Sequence, residues 1–242
     1  MEPVREVFRR LDYRALGKIY CHRGGNAFWK AKREPCLRLG LRLARALHRR
    51  LKPGGRSLYV GAGVAELPAL LMETLELGRK VSAFNLRKEE VRILNAACRS
   101  LPLRFRAEDA LQACGRFDHL WLVSVLNDPE RFPELSAVSY GRSNALALRP
   151  LAFEEEFREA RRLAGRCFAK LSLPALVTTS EEELPWVTQW CKEKRLSCRA
   201  SGRWPTALVG DPVVFVRVGE RPRSSSRARR RTARPPARSS GS

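Results

Sequence analysis

Residues able to hold a nucleotide-like ligand fall at three places in this 242-residue chain. The first is Gly61-Ala62-Gly63, set between the apolar run Leu58-Tyr59-Val60 and a helical pattern that begins at Ala65. Glycine at both turn positions lets backbone approach a ligand closely, and the N–H groups that open the next helix are available to it. A glycine pair alone is not diagnostic, since many α/β proteins use one only for tight packing. The second place is Asn85, which ends the next apolar run 22 residues after Gly63. Ribose-binding folds put a hydrogen-bonding residue there. The third is Glu108-Asp109, directly after the short run Leu103–Arg106, where a carboxylate can accept from an adenine amino group. A glycine turn, a ribose partner and an adenine partner together describe a site for an adenosine-bearing cofactor.

These residues meet only if strands and helices alternate to bring them to one edge. The pattern predicts strands at Leu58–Val60, Val81–Phe84, Leu103–Arg106, Phe117–Val125 and Cys167–Leu173, with helices at Ala65–Leu77, Arg87–Arg99, Leu151–Ala164 and 181–194. Ser180 and Glu183 have the spacing of a capping box for the last of these helices. Phe117–Val125 is a near-continuous apolar run, as a strand covered on both faces requires. Alternation of this kind predicts a parallel sheet with helices on both faces and ligands at the carboxyl ends of its strands. Two final strands are expected at Leu196–Gly202 and Val213–Val218. Ahead of the glycine turn, residues 2–16 read as an amphipathic helix and 17–35 as an irregular aromatic and basic loop with a Gly24-Gly25 hinge, closed by Pro35. Cys36–Leu51 reads as a helix with Arg38, Arg42, Arg45 and Arg49 in one stripe. Residues 126–150 read as a long loop, a length usually kept for function.

Composition limits the classes of function. No apolar run approaches the roughly 20 residues of a membrane span, and the N-terminus lacks the apolar core of a signal peptide, so a cytoplasmic location is expected. Seven cysteines form no CxxC pair and no histidine is spaced as a zinc partner, so no metal site is expected. The net charge of +22 is unevenly placed. Residues 1–56 hold 16 Lys and Arg against 4 acids, and 221–242 hold 8 Arg and no acid, whereas 57–220 hold 23 against 21. Any nucleic acid or other polyanion would therefore meet the two ends. The Arg/Ser/Pro-rich segment after Gly219 cannot bury a core and is expected to be disordered.

Over about residues 36–218 the chain resembles the class I S-adenosylmethionine-dependent methyltransferase family. The matching pieces are VGAGVAE, FNL at Phe84–Leu86, AEDAL at Ala107–Leu111, FDHLWLVSVLND at Phe117–Asp128 and LAGRCFAKLS at Leu163–Ser172. The last two predicted strands resemble the family's terminal antiparallel hairpin. The resemblance implies a Rossmann-like, doubly wound, mostly parallel seven-stranded sheet at 53–219, with a helical basic extension or lid at 1–52 and a disordered tail at 220–242. It implies S-adenosyl-L-methionine as cofactor, with Gly61, Ala62 and Gly63 beneath its methionine part. Asn85 and Leu86 would meet the ribose and adenine, Glu108 and Asp109 the adenine amino group, and Ser124 the sulfonium side. Three positions depart from the family pattern: Tyr59 replaces the acid two residues before the first glycine, Ala65 the third glycine and Asn85 the second-strand acid. Glu66 is a candidate substitute for the missing acid.

Methyl transfer needs positioning more than acid–base chemistry, so the substrate side is marked only by Asp128 as base or anchor and by His22, with Tyr20 and Tyr140 nearby in sequence. NDPE is not the Asn/Asp-Pro-Pro-aromatic motif of enzymes that methylate exocyclic base amines. A small-molecule acceptor is expected. The alternatives are an RNA ribose 2′-O-methyltransferase, in which Lys30, Asp128, Lys170 and Asp211 would form a lysine–acid–lysine–acid set, and a non-catalytic binding protein of the same fold. A nicotinamide dehydrogenase suits the terminal hairpin and AEDA less well.

Overall fold

The computed structural model describes residues 2–21, 25–141, 149–208 and 210–221. The tail beyond Arg221, His22 and the Gly24 half of the expected hinge lie outside the described residues. Helices α1 (Glu2–Arg10), α2 (Tyr13–Tyr20) and α3 (Gly25–His48) precede the sheet. The alternating part runs β1 (Arg56–Val60), α4 (Leu67–Leu75), β2 (Lys80–Phe84), α5 (Lys88–Ala97), β3 (Phe105–Arg106) and β4 (Phe117–Leu122). It continues with α6 (Pro133–Ser139), α7 (Pro150–Phe168), β5 (Leu171–Ser180), α8 (Leu184–Glu193), β6 (Leu196–Trp204) and β7 (Val213–Glu220).

The seven strands form one sheet in the order β3-β2-β1-β4-β5-β7-β6. Strands β1 to β5 pair in parallel, and β7 enters antiparallel between β5 and β6. Strand order reverses beside β1, so the carboxyl ends of β1 and β4 flank a crevice. The expected doubly wound sheet with a terminal antiparallel hairpin is the one found. One face carries α1–α5 over Tyr59, Trp121 and Phe215, and the other carries α7 and α8 over Leu58, Leu120 and Val177.

Several boundaries differ from the sequence reading. Asp12 caps α2 through Ala15 N, which breaks the expected 2–16 helix into two. The loop expected at 17–35 is mostly helical, because α3 runs straight through Pro35. Proline there removes the N–H that Ala31 O would accept, but Ala31 is exposed, so its carbonyl meets water. Val7, Phe8, Leu16, Trp29 and Leu47 share one buried cluster with Tyr59 and Leu70. The apolar residues Cys167 and Phe168 end α7 instead of opening β5. A short apolar run fits either state, and length decides. Part of the expected long loop is helical as α6.

The Tyr59 departure has a structural explanation. Its side chain is fully buried, and its hydroxyl donates to Glu73 Oε1 at 2.6 Å. Glu73 also accepts from Ser57 and from Arg79 Nε at 3.0 Å, and lies 2.9 Å from His119 Nδ1. Arg79 continues to Asp118 Oδ1 at 2.7 Å. These contacts, His119 first, hold the Glu73 carboxyl below its usual range despite burial. Replacing Glu73 with Gln leaves Asp118 as the one carboxylate on the buried Arg79 and is expected to cost about 3 kcal/mol, read from the urea midpoint. A shift below about 1 kcal/mol would show the pair to be dispensable. Among the described residues no helix is long and apolar enough to cross a membrane, and no group of three metal-ligating side chains occurs.

Candidate functional site

A cavity of about 510 Å³ opens at the carboxyl ends of β1, β2 and β4. Helix α3 and residues 205–208, which join β6 to β7, form its far wall. Its floor is the glycine turn. Gly61 has φ +70°, a left-handed conformation that side chains disfavour, and a Cβ there would lie 3.0 Å from Val125 Cγ2. At Gly63 a Cβ would stand 2.7 Å from Glu90 Oε1 and 3.0 Å from the Tyr20 hydroxyl. The turn is anchored to β2, since Ala62 N donates to Phe84 O at 2.8 Å and Asn85 Nδ2 donates to Ala62 O at 2.9 Å. Gly63 N donates to Glu66 Oε2 at 2.8 Å, so this acid caps the turn from the start of α4.

Above the turn stands a pair that sequence reading did not join. Tyr20, at the end of α2, donates to Glu90 Oε1 at 2.5 Å, and Asn85 Nδ2 donates to Glu90 Oε2 at 3.2 Å. Glu90 is fully buried in the first turn of α5. Its five-residue spacing from Asn85 was the available signal. Burial raises its carboxyl, and burial together with Glu90 itself raises the Tyr20 hydroxyl well above the usual range. Glu66 opens to the cavity rather than to bulk water, and burial pushes it up to about 7 against the Gly63 N–H that stabilises its charge. Trp121 Nε1 is buried in the same wall, near Glu66 but without a hydrogen bond of proper geometry. In a chain of net charge +22, the described residues lining this cavity include six acidic side chains and two guanidiniums.

The end of β4 is held from the opposite side of the sheet. Ser124 has φ +55°, and the N–H groups of Ser124, Val125 and Leu126 all donate to the Glu183 carboxylate, at 2.8, 2.6 and 2.6 Å. Ser180 Oγ donates to it at 3.1 Å, so the predicted capping box is replaced by a bridge between two loops.

No family model matches the sequence, and no curated protein matches it. The arrangement of strands does find solved relatives. Magnesium protoporphyrin IX methyltransferase from Synechocystis PCC 6803 with bound S-adenosylmethionine is 12% identical, with 87% of this chain and 98% of that one covered and a TM-score of 0.54. With S-adenosylhomocysteine bound, the same enzyme aligns over 86% of this chain and 100% of its own at 12% identity, with a TM-score of 0.52. The fold is that of the class I S-adenosylmethionine-dependent methyltransferases.

Within this methyltransferase fold, Gly61, Gly63, Asn85, Leu86, Glu108, Asp109, Ser124 and Asp128 all line the one cavity. Ala62 is fully buried with its side chain in the core, and contributes through its backbone. Asn85 Oδ1 accepts from Arg87 N at 2.8 Å, so much of its capacity serves the turn itself. Leu86 is 58% exposed at the mouth, beside the Asp109 that caps residues 110–112 through Leu111 N. Asp128 Oδ1 accepts from Glu130 N at 2.9 Å, and its Oδ2 lies 3.9 Å from Arg87 Nη2. Tyr140 accepts from Asn127 Nδ2 at 3.0 Å. The lysine–acid–lysine–acid set does not assemble. Lys170 sits at the amino edge of the sheet, donating to Ala113 O at 2.6 Å, and Lys30 is exposed on α3.

Proposed function

We propose that this protein binds S-adenosylmethionine over the Gly61–Gly63 turn and transfers its methyl group to an acceptor in the apolar part of the same cavity. The observation that carries this reading is the carboxylate-rich cavity built on a glycine turn at the switch point of the sheet. A sulfonium and an ammonium are the charges such a lining favours, and Glu66 and Glu90 are the buried acids nearest the turn. Leu86 and Ala110 offer apolar contact for a purine, with Glu108 and Asp109 beside them for its amino group. When bound, the cofactor supplies an electrophilic methyl on a good leaving group. The chain's own work is to hold reactants in line and exclude water. Leu39, Leu43, Ala207, Leu208 and Val213 supply the dry wall on the acceptor side. Asp128, already partnered by Arg87, fits a substrate anchor better than a base.

The cavity volume is that of an ordinary small-ligand site, so the acceptor is a small molecule or one group projecting from a larger molecule. All seven cysteines are free thiols, which supports a reducing compartment such as the cytoplasm. Titration calorimetry tests the reading directly. S-adenosylmethionine is expected to bind with a micromolar constant, and Gly63→Val, which drives carbon into Glu90 and Tyr20, is expected to weaken it at least about tenfold. No heat at millimolar cofactor would leave a binding protein of this fold without the enzyme.

A further inference from the structure

We propose that the exposed face formed by α3 and the β6–β7 hairpin binds the phosphodiester backbone of a nucleic acid, and that the methyl acceptor is a group on that nucleic acid. The second half rests on the methyltransferase reading; the first does not.

Arg38, Arg42 and Arg45 are exposed along α3, and Arg49 is exposed in the turn directly after it. Over the 11 residues between the first and last, the stripe extends about 16 Å. No acid occurs in the sequence between Glu34 and Glu66. None of the four has an ion-pair partner among the described residues. The stripe continues onto the hairpin. Arg50 lies over the Phe215 ring at 4.5 Å, and the charges of Arg49 and Arg217, after burial, lower its pKa. Arg217 is exposed and stands directly opposite Arg199 in the β6–β7 register, also exposed. Like charges facing each other across strands cost stability. Strand β6 holds no acid, and the alternation of β7 turns Glu220 to the other face, with Val216 and Val218.

Arginine-rich composition alone does not produce this face. Helix α7 is as rich in arginine but intersperses it with Glu154, Glu155, Glu156 and Glu159, and ties Arg161 to Glu193 at 2.8 Å. An anionic membrane is the weaker partner. Interfacial helices insert apolar side chains, and among the described residues the large exposed apolar side chains, Leu75, Leu86, Val138, Leu151 and Phe157, lie on neither α3 nor the hairpin. Phosphate backbones need only the charge.

The same two elements wall the cavity. Leu39 and Leu43 of α3 are the sequence neighbours of Arg38 and Arg42, and residues 205–208 of the hairpin connection line the cavity with them. A nucleic acid held on the basic face passes this mouth. The apolar chamber admits one extruded nucleoside group and not a duplex, as enzymes that modify nucleotides require.

The test is fluorescence anisotropy of the full chain with a labelled RNA stem-loop and a DNA duplex, over a salt series, alongside phosphatidylserine vesicles. For duplex regions each lost phosphate contact lowers the slope of log K against log salt by about 0.9. R38Q/R42Q/R45Q/R49Q is expected to reduce the slope by about 3.5 and R199Q/R217Q by about 2, with the basic tail intact in both. Circular dichroism and cofactor calorimetry should be unchanged in these surface variants. Unaltered slopes in both variants, or a preference for vesicles over both nucleic acids, would overturn the docking face. RNA above DNA, or the reverse, identifies which polymer is the source of the phosphates. Transfer of labelled methyl from cofactor to that polymer, lost in the quadruple variant, supports the second half; label found only in small molecules refutes it. Failure of the wild type to bind cofactor would remove the methyltransferase reading and, with it, the second half, leaving the slopes to judge the face.

Discussion

S-adenosylmethionine is expected to bind about fivefold more tightly at pH 7 than at pH 6, with the gain levelling off above about pH 8. The cause is Glu66. Its carboxyl is pushed up to about 7 by burial in the cavity wall, so in the free protein it holds a proton through the acidic range. A cation placed beside it favours the carboxylate, and binding then releases that proton. Well below about 7, raising the pH removes the competing proton and strengthens binding by close to one log unit per pH unit, at about 7 the group is half ionised, and well above it the gain is exhausted. Between about pH 5 and 8 the total gain is about two orders of magnitude. Glu90, also raised by burial, adds in the same direction. Glu66→Gln keeps the shape and the capacity to accept from Gly63 N while removing the titration, so its affinity profile should be much flatter. A wild-type profile as flat as the variant's would show that Glu66 does not sense the ligand's charge.

What was legible in the sequence was local. Gly61 and Gly63 declare themselves because a left-handed turn and a close approach each exclude side chains, and Asn85 and Asp109 because strand ends are marked by composition. These signals placed one edge of the sheet correctly and brought eight of the named residues to one cavity. The residues that give the cavity its electrostatics were not legible, because they depend on partners far away in the chain. Glu90 is buried by Tyr20, 70 residues earlier. Tyr59 looked like a defect in a cofactor motif. It is instead one donor to Glu73, in a buried network that also draws on Ser57, Arg79 and His119. Pro35 misled for a related reason: the rule against proline in helices concerns one hydrogen bond, and the packing of Cys36, Leu37 and Leu41 around it outweighs that loss.

Glu183→Ala is expected to be the most damaging single substitution in the chain, costing about 5 kcal/mol. Three consecutive backbone N–H groups after β4 find their acceptor in this one carboxylate, and Ser180 supplies a fourth donor. Each buried N–H left without a partner costs about 1–3 kcal/mol. The Glu183 side chain is itself fully buried, so water has no easy path to replace it. Both oxygens are filled, Oε1 by Val125 and Leu126 and Oε2 by Ser124, Ser180 and, at 3.4 Å, Thr179, and only a carboxylate can accept on both. Burial nevertheless pushes the group up to about 7, with those same donors holding it down. Glu183→Gln therefore turns an amide N–H₂ toward an existing donor, and should recover only part of the loss. The effect on function differs from that on stability. Ser124 and Val125 form the cavity wall beside Gly61, and the left-handed Ser124 persists only while Glu183 holds its neighbours. At temperatures where the variant is still folded, methyl transfer should fall further than cofactor affinity, because the glycine turn is anchored separately through Asn85 and Glu66. Denaturant unfolding and single-turnover rates separate the two. A loss of stability below about 1 kcal/mol would mean that the loop finds other acceptors, and the assignment of Glu183 as its anchor would fall.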